Sequence, residues 1–333
     1  MAHIRDQGLS PRDLVCLPAA AGGPKGLALI PFDRFFYDEW LCRAARVELV
    51  GASIGAWRMT ALARPDAPAA LDRLRHAYVH EQRYSSQPSP AEVSDGCRRI
   101  VRAVLTDRSL ELRPGVTLSV ITARGRGALA EQESRLAFGR ALLGNAISRS
   151  RLATHLERVI FQAGDHSFLV EPADEFGVKV VPLSARNCED ALLASGSIPL
   201  VCSAVRDIVG APPGRYWDGA LIDYHLLLPY HRLASAKAGG QGGLVLYPHF
   251  TAAVTPAWFD KFLPWRRAPR AHEWLTNVLL IAPSPKFVAT LPNGKLPDRR
   301  DFYRYGADHE ARARDWERAI AECERFATGA MRW

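Results

Sequence analysis

Long apolar runs are absent from this sequence. No stretch approaches the roughly 18 residues that a membrane-spanning helix needs. Residues 1–12 are polar and lack the apolar core of a signal peptide. We therefore expect a cytoplasmic protein, whose contact with a membrane would be limited to the bilayer surface.

Paired cysteines are absent as well. The six cysteines are dispersed, without a C-x-x-C pair or the spacing of zinc ligands. They are Cys16, Cys42, Cys97, Cys188, Cys202 and Cys323. This pattern predicts reduced thiols and gives no sign of a metal site.

Acidic residues are fewer than basic ones. The chain has 43 Lys and Arg against 35 Asp and Glu, a formal net charge of +8 and a pI of about 9.4. Such a balance favours anionic partners, such as acidic substrates or membrane surfaces. The basic residues are spread along the chain and no nucleic-acid-binding signature is present, so we expect no nucleic-acid partner.

Strand-like and helix-like segments alternate, which predicts an α/β fold. Apolar runs typical of strands cover 12–18, 46–50, 116–123, 158–162, 178–184, 243–250 and 276–283. Helical spacing covers 27–41, 54–63, 69–82, 91–105, much of 128–157, a segment opening at Asn187, and 308–326. The expected fold is a three-layer α/β/α sandwich with a mainly parallel central sheet. The glycine-rich loop at 235–243 does not separate two different compositions, so we expect a single domain over 1–333.

The stretch VELVGASIGAW, residues 47–57, places a serine between a strand and a helix. Gly51, Ser53 and Gly55 match G-x-S-x-G, in which the serine occupies a strained turn with its hydroxyl exposed. The helix begins near Ile54, so its free N–H groups and positive dipole end would face an anion at the serine. A tight structural turn without chemistry is the alternative.

A second glycine-rich stretch, GGPKG at 22–26, also follows a strand and precedes a helix. As a dinucleotide fingerprint it lacks the first glycine and a ribose-binding acid, and as a P-loop it lacks Ser or Thr after the lysine. As an oxyanion loop, its N–H groups would converge into an anion nest beside Ser53. A glycine turn without a ligand stays open.

A serine nucleophile needs a base. The α/β-hydrolase order is serine, acid and then histidine, but that fold places several strands before the nucleophile, and only 52 residues precede Ser53. The other candidate base is Asp218 in RYWDGALIDYH, where small residues follow and another backbone can approach. A plain Asp-Gly turn is its alternative. The late histidines, for which surface or core positions are the simpler interpretation, are His225, His231, His249, His272 and His309.

Together these segments resemble the patatin-like phospholipase family. GGPKG is similar to that family's oxyanion loop, with Lys25 where the family usually has Arg, and GASIG is similar to its nucleophile elbow. ASGSIPLVCSAV, residues 194–205, looks like the family's helix end, and YWDGALID looks like its Asp-Gly-Ala motif. The four segments follow the family's order over about 12–226. The remaining residues, 227–333, would complete the sheet and add a terminal amphipathic helix.

The resemblance implies a serine acyl hydrolase of lipid esters, of the phospholipase A or lysophospholipase type, with a Ser-Asp dyad and no catalytic histidine. Ser53 would attack the ester and Asp218 would accept its proton. The implied oxyanion hole comprises Gly22, Gly23, Lys25, Gly26 and Ile54, and the glycines of the elbow and base motif are Gly51, Gly55 and Gly219. Because hydrolysis needs only water, no metal or cofactor is expected.

Two departures from the family pattern put the substrate range in question. Asp223 stands where the family often has Asn, and would alter the field at Asp218. His225 and Leu226 occupy the neighbourhood of a frequent proline. Two alternatives to the lipid hydrolase therefore stay open: a thioesterase or esterase of soluble acyl groups, and a catalytically silent lipid-binding or scaffold domain.

The segment AWFDKFLPWRRAPRAHEW, residues 257–274, interleaves aromatic and basic side chains. The aromatic ones are Trp258, Phe259, Phe262, Trp265 and Trp274, and the basic ones are Lys261, Arg266, Arg267 and Arg270. This composition suits peripheral contact with an anionic membrane surface. A packed loop with a solvated basic rim is the alternative.

Overall fold

The computed structural model describes residues 8–44, 46–106, 110–165, 167–233, 243–268 and 272–330. Within these ranges the strands form one nine-stranded, mostly parallel sheet flanked by helices, as in a three-layer sandwich. The strands are β1 Leu14–Ala19, β2 Val47–Ala52, β3 Val116–Gly125, β4 Leu156–Ala163, β5 Val178–Pro182, β6 Val205–Arg206, β7 Arg215–Asp218, β8 Leu244–Pro248 and β9 Val278–Ile281.

The helices alternate with these strands as the sequence pattern predicts. The α-helices are α1 Ile30–Phe36, α2 Ile54–Ala63, α3 Ala67–His80, α4 Pro90–Leu105, α5 Ala128–Glu131, α6 Arg135–Ile147, α7 Arg149–Ala153, α8 Cys188–Gly196, α9 Ala220–Asp223, α10 Pro285–Val288, α11 Arg300–Tyr305 and α12 His309–Ala330. Short 3-10 helices cover Pro11–Asp13, Gly23–Leu29, Tyr230–Leu233, Trp258–Phe262, Pro264–Arg266, Glu273–Leu275 and Pro292–Gly294, and a π-helical turn covers Tyr37–Leu41. No helix in these described ranges is both long enough and apolar enough to cross a bilayer.

The strand order is β5-β4-β3-β2-β1-β8-β9, with β7 paired to β3 and β6 paired to β7. Strands β2, β1, β8 and β9 run parallel to their neighbours, and β3 runs parallel to β2. The carboxyl ends of β1 and β2 therefore meet at one edge of the sheet, where functional loops gather in parallel α/β folds. Both glycine-rich motifs follow these two strands.

Three local features depart from the sequence expectations. The segment 27–41 is not one α-helix, because a 3-10 turn precedes α1 and a π-helical turn follows it. Residues 215–218, to which the sequence pattern assigned no strand, form β7, which is antiparallel to β3. Asn187 lies before α8 but makes no capping bond to it, since its side chain bonds the preceding loop instead. The glycine-rich loop expected at 235–243 lies outside the described residues, except for Gly243.

Helix α2, which begins directly after Ser53, is buried along its whole length. It packs against β2 on one side and α3 on the other. The one strongly charged side chain in it, Arg58, is paired with the buried Asp33 of α1 through two hydrogen bonds of 2.7 Å. The bidentate pair compensates both charges inside the core, and it joins the middle of α2 to α1.

Candidate active site

Ser53 lies in a strained turn between β2 and α2. Its backbone has φ 58° and ψ −133°, a conformation that residues with a side chain rarely adopt. Such strain is kept only where the surrounding structure imposes it, and it aims the hydroxyl away from the strand. The serine is buried in the protein and lines a large cavity.

The two glycines of G-x-S-x-G are required by close backbone contacts. A Cβ at Gly55 would lie 1.9 Å from the carbonyl oxygen of Ala19, the last residue of β1, and a Cβ at Gly51 would lie 2.5 Å from the backbone nitrogen of Ala56. Any side chain would therefore push α2 away from the sheet. The elbow is held where the ends of β1 and β2 meet.

Asp218 reaches the serine through strand pairing. Ala52 of β2 is paired with Ile121 of β3, and the next residue of β3, Thr122, is paired with Asp218 at the end of β7. The aspartate is therefore level with the residue that follows Ala52. Gly219 is required here because a Cβ on it would lie 2.4 Å from the carbonyl oxygen of Ile121.

The hydroxyl of Ser53 donates a hydrogen bond of 2.7 Å to Oδ2 of Asp218. The other carboxylate oxygen, Oδ1, accepts a bond of 2.8 Å from the backbone N–H of Ala220, which fixes the orientation of the group. Burial raises the pKa of Asp218 to about 6, against weaker lowering by these two hydrogen bonds and by the charge of Arg299. A carboxylate with this pKa is ionised at neutral pH and is a stronger base than an exposed aspartate.

Ser195, near the end of α8, supports the elbow from behind. Its hydroxyl accepts a bond of 2.9 Å from the backbone N–H of Ser53 and donates one of 2.8 Å to the carbonyl of Ile121. It thus links the strained turn to β3. No sequence pattern marks a role for this serine, although it lies inside the stretch ASGSIPLVCSAV, residues 194–205.

The glycine-rich loop starts a 3-10 helix over Gly23–Leu29, beside the elbow. The first N–H groups of a helix have no partner inside it, and Pro24 has no N–H. Donors are therefore available at Gly22 and Gly23, and at Ile54 at the start of α2. Gly23, with φ +57°, lines the same cavity as Ser53.

Gly26 and Lys25 occupy different surroundings from these donors. A Cβ at Gly26 would lie 2.8 Å from the side chain of Ile54, so this glycine allows the loop to pack on the elbow helix. Its N–H lies within the 3-10 helix, where such groups take the carbonyl three residues back. The ammonium of Lys25 lies 5.0 Å from the centre of the Phe250 ring.

Asp223 does not act on Asp218 as the sequence analysis expected. Its carboxylate is paired with Arg158, with Nε–Oδ2 at 2.6 Å and Nη2–Oδ1 at 2.8 Å. Its charge is therefore compensated inside the protein, and it is not among the groups that shift the pKa of Asp218. The expected like-charge repulsion is absent at this site.

In the described part of the chain, the Ser53 hydroxyl makes no hydrogen bond to a histidine. His225 and His249 are buried against each other, with ring centres 4.4 Å apart. Burial lowers the pKa of His225 well below its usual value and that of His249 to about 3, so both are neutral. The Nδ1 atoms contact the loop at 251–255. His231 is exposed, and His309 lines the far part of the large cavity.

A cavity of about 410 Å³ opens from Ser53. This volume lies within the range of small-molecule pockets. Its walls are mainly apolar and aromatic, and they include Ile54, Trp57, Tyr78, Val93, Ile198 and Phe302. The space suits an apolar chain attached to a group that reacts at the serine.

A much smaller cavity lies on the other side of the dyad, against Asp218. Its walls include Gly22, Tyr224 and Trp258. Arg299, directly before α11, lines both cavities. Sequence reasoning missed this arginine, because it lies outside every motif and only the fold brings it to the dyad.

No group of three or more His, Cys, Asp or Glu side chains suited to a metal ion occurs among the described residues. Compared with known proteins, the chain matches no family model, and no curated protein is significantly similar to it.

Proposed function

We propose that this protein is a serine acyl hydrolase of lipid esters that uses a Ser53–Asp218 dyad, in the manner of the patatin-like phospholipases. The observation that carries the proposal is the hydrogen bond of 2.7 Å between the Ser53 hydroxyl and Asp218, made at a strained strand-to-helix turn. A nucleophile bonded directly to its base, with backbone donors beside it, is the arrangement that acyl transfer needs.

In the first half of the reaction, Oγ of Ser53 attacks the ester carbonyl while its proton passes to Oδ2 of Asp218. The negative charge on the carbonyl oxygen is stabilised by N–H groups at Gly23 and Ile54. Collapse of this intermediate breaks the bond to the alcohol, which takes the proton from Asp218 and leaves. The acyl group is then bound to Ser53 as an ester.

In the second half, water replaces the alcohol. Asp218 accepts a proton from the water, whose oxygen attacks the acyl carbonyl, and the same backbone donors stabilise the second oxyanion. Collapse breaks the bond to Oγ, the proton of Asp218 returns to Ser53, and the carboxylic acid is released. The dyad ends as it began, so no further reactant is needed.

The large apolar cavity supports a lipid rather than a small soluble ester as substrate. Its volume of about 410 Å³ and its aromatic walls accommodate an acyl chain beside the nucleophile. A hydrophobic chain transferred from water to such a cavity gains free energy with each buried methylene, about 0.8 kcal/mol. We therefore expect rates that rise with acyl length until the cavity is filled.

The test is covalent labelling followed by a substrate panel. A fluorophosphonate probe should label the wild-type protein at Ser53, as identified by mass spectrometry, and should not label Ser53→Ala. Hydrolysis of phospholipids, lysophospholipids, monoacylglycerols and acyl thioesters should then be compared. A folded protein that is never labelled would favour a silent lipid-binding domain, and a marked preference for thioesters would favour a thioesterase.

Peripheral contact with an anionic membrane is part of the proposal. Phe262 and Trp265, in adjoining 3-10 helices, are 67% and 74% exposed. They adjoin the end of α6, where Leu143 and Ile147 are also exposed, since Arg266 donates a bond of 3.0 Å to the carbonyl of Asn145. Arg266 is therefore engaged within the protein, and Arg270 lies outside the described residues. Exposed apolar side chains in neighbouring segments suit the bilayer interface.

A further inference from the structure

Three basic side chains from separate segments lie in the wall of the small cavity beside the dyad or close to that wall. Arg299 lines that cavity directly. The ammonium of Lys261 lies 4.9 Å from the centre of the Tyr224 ring and 6.0 Å from that of Trp258, and both rings are cavity walls.

Lys25, which belongs to the oxyanion loop, also lies close to the wall of the small cavity. Its ammonium lies over the ring of Phe250. That ring is packed so closely on Gly22, another wall residue, that a Cβ there would lie 2.6 Å from it. The three side chains thus approach the cavity from the loop after β1, from the Trp258–Phe262 helix and from the residue before α11.

Within the described ranges, these three side chains form no direct ion pair, although the carboxylates of Asp298 and Asp218 are near enough to act on their charges. The nearby Lys295, by contrast, is paired with Asp298 and Asp301. Burial and the neighbouring positive charges lower the pKa of Lys261, to about 8, and burial is also the main reason why the pKa of Lys25 is lowered. Unpaired cations gathered at a cavity are the usual environment of a bound anion.

We propose that Lys25, Lys261 and Arg299 form an anion-binding subsite that holds a negatively charged group on the alcohol side of the ester. The protein would then select esters of an anionic alcohol over esters of an uncharged one. This inference rests on the proposed hydrolase function. The apolar cavity takes the acyl chain, and the charged group of the alcohol lies among the three basic side chains, at the opening of the small cavity, whose volume of about 20 Å³ has room for about one water molecule.

The position of Arg299 explains how the subsite acts on the reaction. A Cβ at Gly23 would lie 3.2 Å from Nε of this arginine, so the guanidinium borders the oxyanion loop as well as both cavities. A bound anion would therefore lie next to the scissile bond and not at a distant surface.

The main test compares two esters with the same acyl chain. The anionic ester is a monoacylglycerol phosphate and the uncharged one is a monoacylglycerol, both assayed at about pH 7, where Asp218 is mostly ionised and Lys261 is mostly protonated. The ratio of kcat/KM for the two should favour the anionic ester in the wild type, and should fall roughly tenfold or more in Lys261→Gln and in Arg299→Gln, as expected on losing a bond to a charged group. Arg304→Gln removes an exposed charge from the neighbouring α11 and should leave the ratio unchanged.

Direct binding separates this inference from the proposed function. Glycerol phosphate and inorganic phosphate are titrated into Ser53→Ala protein by calorimetry, without any turnover. Glycerol phosphate should bind more tightly than inorganic phosphate, and its binding should weaken about tenfold when Lys261→Gln is added. Absence of binding, equal binding of the two anions, or an unchanged substrate ratio in both variants overturns the subsite. Failure of fluorophosphonate labelling would instead overturn the hydrolase, and the titration would still decide whether the anion site exists.

Discussion

The hydroxyl of Ser195 accepts a hydrogen bond of 2.9 Å from the backbone N–H of Ser53 and donates one of 2.8 Å to the carbonyl of Ile121. Removing it in Ser195→Ala leaves a buried N–H without a partner, at a cost of about 1–3 kcal/mol. We expect kcat to fall about tenfold or more, since the strained turn loses its support, while the protein stays folded. The measurements are kcat on a soluble chromogenic ester and the midpoint of urea unfolding.

The matched control for this variant is Ser197→Ala. Ser197 is equally buried, but its hydroxyl donates to the carbonyl of Leu193 within its own helix end and does not touch the elbow. We expect its kcat to stay within about twofold of the wild type. Equal losses in the two variants would mean that any cavity in this region lowers the rate, and that Ser195 has no special part in positioning Ser53.

The pH dependence of the rate should follow the ionisation of the Asp218 carboxyl group. Because the base acts as a carboxylate and burial raises its pKa to about 6, kcat/KM should rise with pH, reach half its maximum near that value and stay level above it. Replacing His231 or His272 by Gln should leave the profile in place. A folded histidine variant as inactive as Ser53→Ala would contradict the dyad.

Asp218→Asn should be inactive and, at neutral pH, more stable than the wild type. The raised pKa means that the protonated acid is favoured in the folded state, so its contribution to stability is complete below the ordinary value of 3.8 and is lost as pH rises through about 6. Removing the ionisable group should raise the free energy of unfolding by roughly 3 kcal/mol at about pH 8 and change it little near pH 4.

The substitution Asp223→Asn, five residues away, should have the opposite effect on stability. The Asp223 carboxylate is paired with Arg158, which keeps Asp174 as a second partner, so the substitution should destabilise the protein by about 1–3 kcal/mol. Urea unfolding of both variants at two pH values tests the pair of predictions. A loss of stability in Asp218→Asn at about pH 8 would show that its burial does not carry the expected cost.

Gly23→Val should impair catalysis more than folding. A side chain at this position would meet Nε of Arg299 at 3.2 Å and would move the donors of the loop, and the loss of one such donor lowers kcat about a hundredfold. Gly294→Val is the matched control, since Gly294 has a similar positive φ of +63° with open space around it. Both variants carry the same backbone strain, so a comparable kcat in the two would remove Gly23 from the oxyanion hole.

Vesicle binding should depend on the exposed aromatic side chains. Replacing Phe262 and Trp265 together by Ser should lower sedimentation with anionic vesicles several-fold while soluble-ester hydrolysis continues, because interfacial burial of aromatic rings stabilises the bound state. A double variant of Val170 and Val209, which are also exposed but lie in other loops, serves as control. If both double variants bind vesicles like the wild type, the aromatic segment is ordinary surface.

Much of the architecture was predictable because buried strands and amphipathic helices have different periodicities. The strands at 116–125 and 156–163 and the helix at 309–330 lie close to their predicted ranges. The antiparallel pairing of β7 was not predictable, since Arg215–Asp218 is too short to show a strand pattern. The residues of the candidate site likewise include some that were predictable and some that were not. Ser53 and Asp218 stand in recognisable local motifs, whereas Ser195 and Arg299 gain their significance only through contacts distant in sequence.

The separation of 165 positions along the chain between Ser53 and Asp218 makes assembly of the dyad a late event in folding. The serine is part of a local β2-turn-α2 unit, but the aspartate reaches it only after β7 has paired with β3. A partly assembled chain can thus hold a complete elbow and still be inert. During refolding, activity should therefore return more slowly than helix content, because activity requires this long-range strand pairing.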